Sequence, residues 1–144
     1  MSDLLFSGAY AGGAAGAILT LFAHIAPRFG AGNFIRDLDD PQIFGRAISH
    51  REAHFLGILI HLIACIASGM LFALGVERAW FSGFHVIPML GWTMILLLLS
   101  CVIVMPLEGH GFFGRKHDAW FVVDALVTNL LWGGLYLLLI RLWT

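Results

Sequence analysis

The sequence predicts an all-α polytopic membrane protein, a four-transmembrane-helix bundle in a single domain over residues 1–144. The composition indicates lipid burial, since 60% of the residues are hydrophobic and only 12% are charged, against roughly 25% charged in soluble domains. Four apolar runs reach the about 20 residues that a membrane-spanning helix needs. They cover about 4–26, 53–76, 86–105 and 119–142. The connections between them are short, so no soluble domain is expected.

Charge and cysteine content exclude other classes. The net charge is −1, which leaves no basic surface for nucleic acid. Cys65 and Cys101 both lie inside apolar runs, far from a CxxC pattern, and do not indicate a disulfide framework.

Span one carries Gly8, Gly12 and Gly16 at four-residue spacing. Small residues on one stripe let helix backbones approach closely in lipid. We therefore expect the stripe to pack against a neighbouring span, with a homo-oligomer contact as the alternative. Thr20 and His24 continue the stripe to the end of the span.

The loop after span one contains a possible helix start at Asp40-Pro41, with Asp at the N-cap and Pro at the first helical position. It is interpreted as a short amphipathic interfacial helix between helices 1 and 2, or else a flexible loop. The residues on its apolar face would be Ile43, Phe44, Ala47 and Ile48.

Ser49 and Glu52 have the spacing of a capping box, which predicts that span two begins near His50. His50, His54 and His61 then share one helix face. His61 would lie roughly 16 Å beyond His50, near mid-bilayer.

Span four is predicted to begin after Asp118 as its N-cap. Asp124 would then lie roughly 9 Å inside the helix, where a carboxylate must find a partner or become neutral.

Lysine and arginine counts predict the orientation. The first and third loops together carry six of these residues, and the other side carries only Arg78 and Arg141. The rule places loops one and three in the cytoplasm and both termini outside it, in a bacterial inner membrane.

Histidine and carboxylate residues converge on the predicted cytoplasmic side. Imidazole and carboxylate together suit Zn, Fe, Cu or Mn, and facing helices of a bundle can hold such a site. The candidate metal ligands are His50, His54, His61, Glu108, His110, His117 and Asp124. Haem is the second cofactor considered, with His54 or His61 opposite His24 as axial ligands. In the alternative reading, interfacial histidines are only solvated, because the ring is amphipathic, and the carboxylates only cap helices.

His61 and Asp124 are the polar groups that a purely structural reading explains least well, because both fall inside apolar runs. They can match in depth, so we expect them to hydrogen-bond or to share a ligand. Cys65, four residues after His61, adds a soft ligand pair as a further alternative to its role as a small buried hydrophobe.

The segment Val104-Met105-Pro106-Leu107, followed by glycines and Phe-Phe-Gly at 109–114, resembles an uncharacterised family of small four-span bacterial inner-membrane proteins. In that family a similar segment closes the third span, and a pair such as Trp132-Gly133 lies in the fourth. The similarity covers roughly 55–136 and implies the four-span fold. The family often has a His where this chain has Asn129, so a family metal site does not carry over intact.

Three functions remain in competition, and the sequence does not decide whether the protein is an enzyme. The first is a structural or accessory unit, as a homo-oligomer or as a subunit of a larger membrane complex. The second is a metal- or haem-binding protein with redox or metal-handling activity. The third is a small transporter or proton-conducting unit that uses His61 and Asp124.

Overall fold

Long helices dominate the part of the chain that is described. A computed structural model describes residues 3–25, 42–43, 46–47, 49–107, 111–115 and 120–143. The helices are α1 (Asp3–Ile25), α2 (His50–Glu77), α3 (Val86–Leu99), the three-residue α4 (Met105–Leu107) and α5 (Phe121–Trp143).

Among the described residues, four helical segments are long and apolar enough to cross a membrane, in agreement with the predicted number of spans. A helix of 20 residues is about 30 Å long and matches the hydrocarbon core of a bilayer. The segments are Asp3–Ala23, Phe55–Glu77, Val86–Val104 and Val122–Trp143. Insertion into a bilayer itself stays a prediction.

The predicted capping box begins α2. The Ser49 hydroxyl accepts a hydrogen bond from the Glu52 amide at 3.3 Å, and the Ser49 amide donates to the Glu52 carboxylate at 2.9 Å. Both bonds satisfy amides that have no partner inside the helix. The Ser49 hydroxyl also donates to the Glu52 carboxylate, at 2.7 Å. The hydrogen bonds that the hydroxyl and the amide of Ser49 donate to this carboxylate hold its pKa below the ordinary value.

The end of α2 is a left-handed cap. The amide of Ala79 donates to the carbonyl of Val76 at 3.0 Å, and the amide of Trp80 donates to that of Gly75 at 2.8 Å. This pair of bonds is the Schellman motif. Its left-handed position is usually glycine, but here it is Ala79, with φ of 58°.

The described helix continues through Pro106 to Leu107, whereas the sequence placed the end of the third span at about residue 105. A π-helical turn, Ser100–Val104, joins α3 to α4, and the Met105 amide bonds back five residues to the Ser100 carbonyl. A proline in a regular helix clashes with the carbonyl four residues before it and lacks the matching N–H. The wider turn just before Pro106 accommodates both defects, so the helix continues to Leu107.

The described residues of the first loop do not form the predicted interfacial helix. Gln42–Ile43 (β1) and Arg46–Ala47 (β2) pair as an antiparallel two-residue ladder. A helix much shorter than about 12 residues gains too few hydrogen bonds to offset its nucleation. Asp40 and Pro41 lie outside the described residues.

The α1 helix is central, because it packs against both α2 and α5, while α3 packs on α5. Contacts between α1 and α2 pair residues near the start of one helix with residues near the end of the other, so the two are antiparallel. The C-terminal end of α1 therefore meets the N-terminal ends of α2 and α5. The first and third loops lie at this same end, as the sequence predicted.

An aromatic cluster fills the opposite half of the bundle, between α2, α3 and α5. Phe72 is fully buried at its centre and stacks on Phe81 with ring centroids 5.0 Å apart. Tyr136 meets Phe72 edge-on at 5.7 Å. The Trp92 indole donates to the Ser68 hydroxyl at 3.0 Å. In this half of the bundle the helices are held by packed aromatic rings, whereas α1 and α2 are held by close contact between their backbones.

Candidate functional site

The glycine stripe of α1 is the closest helix contact in the described structure. A Cβ added at Gly8 would lie 2.5 Å from the Ala73 Cβ. A Cβ at Gly12 would overlap the Cys65 carbonyl oxygen, and one at Gly16 would lie 2.7 Å from the Cys65 sulfur. Only glycine permits this approach, so the predicted packing role is confirmed. Since α2 of the same chain occupies the stripe, a homo-oligomer would need another surface.

Two side chains of α5 tie this interface together. The Trp132 indole donates to the Gly12 carbonyl at 3.2 Å, and the Tyr136 hydroxyl donates to the Gly69 carbonyl at 3.0 Å. Their rings stack on each other at 5.4 Å. The sequence marked Trp132 only through its resemblance to a family pair, and it predicted neither bond. The sequence feature that could have predicted them is the glycine content of both facing helices. Glycine has no side chain to cover the backbone, so its carbonyl is open to donors from residues distant in sequence.

His61 lies at the edge of this interface. It is half-buried, and its Nε2 atom is 3.6 Å from the Cys65 sulfur. A Cβ added at Gly16 would lie 3.8 Å from the same nitrogen. The ring therefore faces α1 through the gap that the glycine leaves.

Asp124 is exposed and lies nearer the end of the bundle than the sequence suggested. Asp124 falls in the first turn of α5, which begins at Phe121. His61 lies well inside α2, which begins at His50. Whether the two side chains match in depth within a bilayer stays a prediction.

No hydrogen bond joins His61 to Asp124 in the described part of the chain. His61 faces the α1–α2 contact, whereas Asp124 is on the outside of α5. Sequence counting placed Asp124 too deep because it measured from Asp118, which the structure does not describe. A ligand shared by the two side chains stays a prediction.

The other predicted ligands divide into two groups. His24 lies on α1, and His50 and His54 lie on α2, at the end of the bundle where α5 begins; their side chains are not described. Glu108, His110, His117 and Asp118 lie outside the described residues. Among the side chains that are described, no group of three or more His, Cys, Asp and Glu residues could hold a metal ion.

The glycine-rich segment after α4 contains strained backbone where it is described. Phe112–Gly114 is a short 3-10 turn that contacts the π-helical turn and α4. Phe113 has φ of 57°, in the left-handed region that costs a non-glycine residue about 1–2 kcal/mol. The turn thus holds the segment against the end of the third helix.

No family model, curated protein or solved structure matches this chain.

Proposed function

We propose that this chain is a small multi-pass protein of the bacterial inner membrane that acts as a structural or accessory unit, either as a homo-oligomer or as a subunit of a larger membrane complex. The observation that supports this most is the lock between α1, α2 and α5. Glycine contacts bring the backbones of α1 and α2 together, and hydrogen bonds from Trp132 and Tyr136 fix α5 against them.

Two of the described polar side chains inside the bundle bond within their own helices. Asn129 donates to the Ala125 carbonyl at 2.8 Å, and Thr93 donates to the Leu90 carbonyl at 2.9 Å. Such local bonds satisfy a polar side chain without leaving it available to a substrate. Side chains satisfied in this way suit a scaffold better than a gated pathway.

The outward faces of the helices are where a partner would bind. Only 17% to 28% of the residues in the apolar window of each span are buried within the chain, and large apolar side chains such as Ile87 and Leu142 are exposed. In lipid, apolar side chains gain little by meeting one another, and association depends on shape and on interhelical hydrogen bonds. The partner surface is therefore expected among the outward faces, away from the occupied glycine stripe.

Cross-linking in native membranes, followed by native mass spectrometry in mild detergent, tests this function. A homo-oligomer gives multiples of the 15.8 kDa chain, and an accessory subunit gives a reproducible complex with other chains. An isolated 15.8 kDa species under both conditions would contradict the proposal.

The proposed orientation has a separate test with a matched pair of positions. Arg78 and Arg115 are both exposed but lie at opposite ends of the bundle. An impermeant thiol reagent applied to intact cells should label Arg78→Cys, and should label Arg115→Cys only after the cells are permeabilised. The native Cys65 and Cys101 are buried and give little background. The reverse labelling pattern would invert the topology.

Metal or haem binding is the second candidate function, because the fold brings the helix ends that carry His24, His50 and His54 to one end of the bundle, with His61 further along α2. Metal analysis and a visible absorption spectrum of the purified protein test it. A colourless, metal-free preparation that takes up neither haem nor metal would eliminate it.

A further inference from the structure

His61 and Cys65 form a nitrogen–sulfur pair inside the apolar span of α2. They are four residues apart and project from one helix face. The Nε2 and Sγ atoms are 3.6 Å apart, Cys65 is 8% exposed and His61 is half-buried. We propose that this pair binds a soft monovalent cation such as Cu(I) or Ag(I). The proposal does not depend on the structural function proposed above.

The two donor atoms determine the class of cation. Thiolate sulfur selects soft ions, and imidazole nitrogen also binds copper. Structural zinc sites use four protein ligands, and the described residues place no third His, Cys, Asp or Glu beside the pair. Monovalent ions with a filled d shell accept two ligands in a nearly linear arrangement, so a two-donor site is sufficient for them.

The geometry requires a small movement. Metal–nitrogen and metal–sulfur bonds of about 2.0 and 2.3 Å, the lengths found for zinc, place the two donors about 4.3 Å apart in a linear site. The observed distance of 3.6 Å must therefore open by about 0.7 Å. Cys65 has little room to move, because it is buried and packs so closely on Gly16 that an added Cβ there would lie 2.7 Å from its sulfur. The His61 ring, which is half-buried, is the group that moves.

Charge favours a monovalent ion over a divalent one. On binding, the S–H bond of Cys65 breaks, the sulfur–metal bond forms, and the proton passes to solvent. The thiolate and the monovalent cation then cancel, and the neutral imidazole donates its lone pair from Nε2. The occupied site is neutral, whereas a divalent ion would leave one positive charge inside the span. A net charge in the hydrocarbon region is costly.

Titration of the purified full-length protein in mild detergent, without oxygen, tests the site. Cu(I) is supplied from a chromophoric Cu(I) chelator, and Ag(I) serves as a probe without redox chemistry. We expect one ion bound and one proton released per chain. Cys65→Ala should abolish this binding. Cys101→Ala is the matched control and should leave the binding unchanged, because Cys101 is also buried but lies outside α2.

Two variants of similar size at His61 separate ligation from packing. His61→Leu should weaken binding at least tenfold, whereas His61→Met, which replaces the nitrogen by a soft thioether, should retain it. Far-UV circular dichroism establishes that each variant remains helical. The proposal is overturned if the natural chain binds neither ion, if Cys65→Ala binds as well as the natural chain, or if Leu and Met at position 61 behave alike.

Discussion

Replacement of Gly12 by alanine tests the contact that holds α1 to α2. The new methyl group would overlap the Cys65 carbonyl oxygen and come within 3.0 Å of the Gly69 Cα. Both are backbone atoms, so the two helices must separate. Overpacking of this kind costs about 1–3 kcal/mol, and the Trp132 hydrogen bond to Gly12 contributes about 1 kcal/mol that would be weakened. Alanine has a higher helix propensity than glycine, which restores up to about 1 kcal/mol. The free energy of unfolding should therefore fall by about 1–3 kcal/mol in total.

Gly134→Ala is the matched control. Gly134 is also inside a long helix, but no described atom lies within 4 Å of an added Cβ. It gains the same propensity without a clash, so its stability should stay equal or rise by up to about 1 kcal/mol. The measurement is the midpoint of thermal unfolding in one detergent, monitored by far-UV circular dichroism. A higher midpoint for Gly12→Ala, or equal shifts for both variants, would refute the close-contact argument.

Three further predictions concern caps and charge. Ala79→Gly should stabilise the protein by about 1 kcal/mol, because Ala79 occupies a left-handed position. The control Ala64→Gly, on the exposed face of α2, should destabilise it by about the same amount. The midpoints of thermal unfolding of the two variants are compared. Ser49→Ala should destabilise the start of α2 by about 1 kcal/mol. Because the pKa of Glu52 is lowered from 4.5 by its bonds with Ser49, the contribution of Glu52 is present above pH 4.5 and fades as pH falls through the lowered value. The natural chain should show this pH dependence of unfolding, and the Ser49→Ala variant, which retains only the amide bond to Glu52, should show a weaker one. Asp124→Asn should shift stability by less than about 0.5 kcal/mol, as an exposed position does, and should leave proton flux into liposomes unchanged; a loss of flux would instead support a transport function.

The features that the sequence predicted well are local in the chain. Apolar length alone gives the four spans, and the capping box needs only the four residues from Ser49 to Glu52. The glycine stripe predicted close packing but not its partner, because the spacing of Gly12 says nothing about which helix it meets. The Trp132 bond to Gly12 joins residues 120 positions apart and depends on the whole fold.

The errors have physical causes as well. The interfacial helix was predicted from one good start signal, but a segment so short cannot offset nucleation, and its described residues pair as strands. The depth of Asp124 was measured from a helix start that was fixed only by analogy with other caps. For the predicted metal ligands, sequence and fold agree only that the helix ends carrying His24, His50 and His54 come together.

The arrangement of contacts also bears on how the chain is made. In the proposed membrane topology, the second span can meet its partner face on the first once both have entered the bilayer, because α1 and α2 are consecutive. The third span has its main partner in α5, which is synthesised after it. Until then Met89 and Thr93, which pack beside Gly133 in the finished bundle, would lack that contact. A chain stopped before α5 would thus contain a finished helical hairpin and a third span without its principal contact.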